Sequence, residues 1–94
     1  MMNEIQSILE SLSSNEPEDR CVEIAQAELV GKDTIYEKLN GESRNLHCLG
    51  VHTVAVSKEG NPYLRGEWID LDNNNEKADK TVRIENIKAV NKPS

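Results

Sequence analysis

Apolar residues recur at Ile5, Ile8, Leu9 and Leu12 with polar residues between them. That i, i+3, i+4, i+7 spacing gives a helix one apolar stripe. Ser13, Ser14 and Asn15 interrupt it, and Pro17 followed by Glu18 and Asp19 suits the first turn of a second helix, whose positive end favours acids. Val22, Ala25 and Leu29 predict its buried face and Gly31 its end. Residues 20–30 also alternate at Val22, Ile24 and Gln26, so a strand stays open as the alternative there.

From Thr34 the pattern turns to β. Thr34-Ile35-Tyr36 leads into Asn40-Gly41, a strong short hairpin signal, and then into Ser43–Leu46. The β-branched run Val51–Val56 predicts a central strand, with His52, Val54 and Val56 on one face and Val51, Thr53 and Ala55 on the other. Glu59-Gly60-Asn61-Pro62 is turn chemistry, and Tyr63–Asp70 resumes as a strand. Its alternation puts Leu64, Gly66 and Trp68 on the core side, and Tyr63, Arg65 and Glu67 on the accessible side. Asp72–Asp79, with three consecutive asparagines, predicts a polar loop. Thr81–Ile84 is the last clear strand, and Ile87, Ala89 and Val90 continue its apolar spacing after an irregular Glu85-Asn86 step. The expected fold is α+β: one or two N-terminal helices, then five short antiparallel strands in a small barrel or strongly bent sheet. The divisions fall at 1–31 (helical), 32–91 (β) and 92–94 (tail).

Ninety-four residues support one core. With no Phe, one Trp (Trp68) and two Tyr (Tyr36, Tyr63), that core must be mostly aliphatic. No apolar run is long enough to span a membrane, and no basic-then-apolar leader precedes the first helix, so a cytoplasmic protein is expected. Cys21 and Cys48 lack metal or redox spacing and read as reduced thiols. The net charge of −6 is unevenly spread: residues 1–33 carry eight acids and two bases, and the remainder carries nine of each. Repulsion of phosphate at long range therefore disfavours nonspecific nucleic-acid binding by the whole chain, though not by one face of the neutral part. The acidic first third reads either as a solvated helix face or as a phosphate-mimicking surface.

Several blocks of the β part resemble the WYL domain, a small Sm-like barrel found mostly in bacterial transcription regulators. Residues Ile35 to Glu42 look like that family's first hairpin, and Leu46-His47-Cys48-Leu49-Gly50-Val51 is similar to its His-Pro-Leu-Gly-Leu block, with Cys48 where Pro is usual. Asn61-Pro62-Tyr63-Leu64 falls where the naming Trp-Tyr-Leu triplet lies, with Pro62 replacing the Trp. Residues Thr81 to Ile87 resemble the closing Phe-Arg-Leu-Asp-Arg-Ile segment, with Asn86 in place of a second Arg. The resemblance implies an Sm-like barrel and a ligand site containing Arg83, Tyr63 and His47. The two departures remove one aromatic ring and one cation from it.

The residues themselves give each of these a plainer reading too. Arg83, between Val82 and Ile84, offers a rigid fork for phosphate or carboxylate, or equally a cross-strand partner for an acid. Tyr63 can stack on a ligand, and His47 can donate to an anion or serve as a structural hydrogen-bonder. Arg44, Arg65 and Tyr36 are candidates for the same surface. No activated nucleophile is recognisable, the Cys21, His47, Cys48 and His52 spacing fits no zinc site, and Asp70–Glu76 lacks the glycine and helices of a calcium loop. No enzyme activity and no cofactor is expected.

The leading expectation is a noncatalytic, stand-alone regulatory module of bacterial or phage origin that binds a small anionic or nucleotide ligand or a protein partner, and no duplex DNA by itself. A single-stranded nucleic-acid binder using Tyr63, Arg44, Arg65 and Arg83 is one alternative. An acidic interaction or inhibitor protein working through its helices is another. The stripe on the first helix either packs on its own sheet, docks a partner or forms a homodimer.

Overall fold

A computed structural model of the chain describes residues 3–91, so the short tail at 92–94 lies outside the described residues. Two helices, α1 (Glu4–Ser13) and α2 (Glu18–Leu29), precede five strands: β1 (Asp33–Glu37), β2 (Ser43–Val56), β3 (Pro62–Asp70), β4 (Glu76–Arg83) and β5 (Ile87–Asn91). A 3-10 turn, Ile84–Asn86, joins the last two.

Asn3 starts α1 through a reciprocal cap: its side chain accepts from the Gln6 N–H at 2.8 Å, and the Gln6 side chain accepts from the Asn3 N–H at 3.2 Å. Ile8 is the fully buried member of the stripe, while Ile5, Leu9 and Leu12 are half-buried against the same core. Residues 20–30 are helical, and Cys21, Ala25 and Leu29 are the buried face of α2. Val22, expected there, is only half-buried, because a stripe in i, i+4, i+8 register with Leu29 passes through Cys21.

The sheet is antiparallel in the order β4-β3-β2-β1-β5. Its two edge strands, β4 and β5, do not pair, so the bent-sheet alternative holds and a closed barrel does not. The strand count of five is as expected, but two of the strands differ. Ser43–Leu46 and Val51–Val56 belong to one 14-residue strand, β2. Register shifts between Cys48 and Gly50 and between Val51 and Thr53 let it bend without breaking. The second shift also overturns the expected facing: Val51 and Val54 are both buried, opposite Gly66 and Leu64, while His52 is the extra residue and is exposed. The expected polar loop is confined to Leu71–Asn75, and Glu76–Asp79 form the first half of β4. A strand bound on one side only tolerates that polarity, since it has little apolar surface to bury.

Both tight hairpins use one device. The Gly41 N–H donates to the Lys38 carbonyl and the Gly60 N–H to the Ser57 carbonyl, with φ of 88° and 87° at the two glycines. Each is a turn closed by a residue in the left-handed region, where a β-carbon would be strained.

Trp68 and Leu64 lie in the core as the alternation of β3 requires, both at 0% exposure, beside Val54, Val82 and Ile84. The Trp68 Nε1–H has no hydrogen-bond partner among the described residues. Among the described residues, no helix is long and apolar enough to cross a membrane.

Candidate functional site

The bend of the sheet brings β1 toward the edge strand β4. Tyr36 of β1 and Thr81 of β4 are separated in the sheet by β2 and β3, yet both line the same two adjoining concavities. The narrower, of about 290 Å³, also takes in Lys38, Arg44, Asp70 and Lys80. The wider, of about 470 Å³, adds Leu39, Tyr63, Arg83 and Asn86. Tyr36 and Thr81 border both, so the two adjoin and together make up the cleft between the β1–β2 hairpin and β4.

Strand register explains who meets there. Tyr63 and Arg83 are direct cross-strand partners on β3 and β4, and Tyr36 and Arg44 are partners on β1 and β2. Lys80 lies opposite Gly66 and two residues before buried Val82, which points it to the concave side of β4. Leu39, at the tip of the hairpin, is 85% exposed.

The cleft is cationic on an acidic protein. Lys38, Arg44, Lys80 and Arg83 line it against two acids, Asp70 and Glu59. Arg44 approaches Glu42 at 3.7 Å, but Lys38, Lys80 and Arg83 have no ion pair among the described residues. Asp70 is buried, and its Oδ1 accepts from the Asp72 N–H at 3.1 Å, which ties it to the β3–β4 turn. Cations gathered without partners beside two aromatic rings offer charge and a stacking surface to an anion.

Of the five residues singled out from the sequence, Tyr63 and Arg83 meet in the wider concavity and Arg44 lines the narrower one. His47 and Arg65 line neither. The His47 Nδ1 lies 2.7 Å from Asp33 Oδ1 on the neighbouring strand, so it joins β2 to β1. The Arg65 guanidinium donates to Asp79 Oδ2 at 3.4 Å. The alternation rule puts Arg65 on Tyr63's side of β3, but two residues of travel along a twisted strand carry it away from the cleft. Lys38, Lys80 and Asp70 were missed, and for Lys80 the signal was available. Had Glu76–Asp79 been read as strand, alternation back from Val82 would have turned Lys80 inward.

A second polar group crosses the outer face. Thr53 Oγ1 lies 2.9 Å from His52 Nδ1, and His52 Nε2 lies 2.9 Å from Asp79 Oδ1. The hydrogen bond from His52, followed by the charges of His52 and Arg65, holds the Asp79 carboxyl below its usual range. The order hydroxyl, imidazole, carboxylate is that of a nucleophile relay. His52 and Asp79 are about half exposed, at 54% and 49%, and the group lines neither concavity, so water screens it. Cys48 is fully buried, and burial pushes its thiol up to about 11. No group of three or more His, Cys, Asp and Glu among the described residues is arranged to hold a metal ion.

No protein-family model, curated protein or solved structure matches this chain.

Proposed function

We propose that the chain is a noncatalytic binding module, a divergent relative of the WYL domain, that regulates a partner by taking an anionic ligand in the cleft between β1 and β4. The observation that carries this reading is the gathering of Tyr36, Tyr63 and Arg83 with Lys38, Lys80 and Arg44 in two adjoining concavities, three of those cations having no ion pair among the described residues. A recognition site needs them free and convergent.

Phosphate and carboxylate meet these cations through the same chemistry. A single-stranded nucleic acid is the second reading, favoured by the two tyrosine rings beside the cations, since bases stack on such rings whatever their sequence. It predicts affinity that falls steeply with salt.

The test is a 15N NMR titration with pyrophosphate and, separately, with an oligothymidylate at low and moderate salt. Shifts centred on Tyr36, Arg44, Lys80, Thr81 and Arg83 support the reading. Shifts centred on His47, Arg65 or the acidic helices, or no shift with either probe, overturn it.

A further inference from the structure

Resting on that reading of the cleft, we infer that its occupant is an extended acidic segment of another protein, which adds as a strand to the free edge of β4. The cleft runs beside that edge: Lys80, Thr81, Val82 and Arg83 are consecutive residues of β4, and all four line the concavities. On its inner side β4 pairs with β3 at all eight residues without a register shift. On its outer side it pairs with none of the described residues. About half the N–H and C=O groups of such a strand face outward. A small anion would neutralise the cations and leave those backbone groups unused, whereas an extended chain uses both.

The composition of the edge says which chain. Proteins protect regular edges with bulges, prolines or lysines, and β4 has neither bulge nor proline. Its protection is charge. Lys77 is held 3.6 Å from Glu67, but inward-facing Lys80 has no ion pair among the described residues. An ammonium at that position repels a basic strand, loses hydration against an apolar one, and admits one that carries a carboxylate opposite it. Arg83 at one end of the run and Lys38 and Arg44 on the facing bank extend the same preference along the cleft. Tyr36, Tyr63 and exposed Leu39 supply apolar contact for the alternate side chains of an added strand.

The probe is a blocked hexapeptide alternating glutamate with valine, compared with the same peptide N-methylated at alternate residues and with pyrophosphate. Amide hydrogen exchange and NMR shifts are read on the intact protein. Strand addition predicts that the plain peptide slows exchange of β4 amides, and that N-methylation on the pairing edge weakens binding at least about tenfold. Lys80→Glu is expected to abolish peptide binding, with folding verified by its NMR spectrum. Lys58→Glu, a change of the same charge at an exposed turn residue outside the cleft lining, is expected to leave binding intact. If the peptide shifts Arg83 and Lys80 without protecting β4, or the methylated peptide binds equally, strand addition is overturned and the anion cleft stands. If pyrophosphate or an oligonucleotide binds the cleft and the peptide does not, the outcome is the same. If no probe binds there, the cleft itself is overturned.

Discussion

Gly66→Ala tests the bend that builds the cleft. Gly66 sits in β3 opposite Val51, between the two register shifts of β2, and a β-carbon added there would collide with the Gly50 carbonyl oxygen. It would also stand 3.1 Å from the Gly50 carbonyl carbon and from Val51 Cα. All three atoms are backbone, so no side chain can rotate out of the way, and β2 and β3 must separate. Overpacking of this kind costs about 1–3 kcal/mol. Loss of one or two ladder hydrogen bonds adds about 1 kcal/mol each. A destabilisation of about 2–5 kcal/mol is expected, against a total of about 5–10 kcal/mol for a domain of this length. The corresponding fall in melting temperature is about 10–25 °C. Gly50→Ala is the matched control, because its β-carbon meets nothing within 4 Å and its φ is not in the left-handed region. It should change stability by no more than about 0.5 kcal/mol. Urea denaturation of both variants, followed by circular dichroism, decides the matter. Equal costs for the two, or a Gly66→Ala variant within about 0.5 kcal/mol of the parent, would refute the close approach of β2 and β3.

Other consequences are open to direct measurement. Asp79 is held ionised below its usual value of 3.8 by His52 and Arg65, so its contribution to stability is present above that value and lost as pH falls through the lowered one. In His52→Ala, carbon-detected NMR titration should find the Asp79 carboxyl returning toward 3.8, and an unchanged titration would show that the pair does not form in solution. Cys21 and Cys48 are both buried, and burial pushes the Cys48 thiol up to about 11, so an aromatic disulfide reagent at pH 8 should label neither in the folded protein and both in urea. Fast labelling of the native state contradicts that burial. Trp68→Phe removes an N–H that has no acceptor among the described residues, along with part of a buried ring. Relief of the unpaired donor, worth about 1–3 kcal/mol, offsets the cavity left behind, so the net cost should stay within about 1 kcal/mol. A loss above about 3 kcal/mol would mean that the indole nitrogen is paired in solution.

The sequence made the elements legible where periodicity was long and uninterrupted. The stripe of α1, the two glycine turns and the placement of Leu64 and Trp68 in the core all follow from spacing. It failed where a single residue changes the phase. The extra residues at Leu49 and His52 turn β2 without any marker except Gly50, and strict alternation then puts Val51 and Val54, both buried, on opposite faces. Asp72–Asp79 looked like loop because an edge strand needs no apolar face. That misreading hid Lys80, and with it the inner bank of the cleft. Within the candidate site, the cross-strand pair Tyr63 and Arg83 was foreseeable, but the approach of β1 to β4 was not. That contact depends on the accumulated bend of four strands.

The proposed function requires that anions enter the cleft between β1 and β4 rather than any other cationic surface of this protein. Its most direct measurement is the affinity of pyrophosphate for the parent, Arg83→Ala and Arg65→Ala, with folding checked by NMR. Both variants remove one arginine from the same small sheet, but Arg83 lines the cleft and Arg65 is tied to Asp79 outside it. The account predicts that Arg83→Ala weakens binding about tenfold, or about 1.4 kcal/mol, while Arg65→Ala leaves it within about twofold. Equal losses in the two variants, or a larger loss in Arg65→Ala, would contradict it.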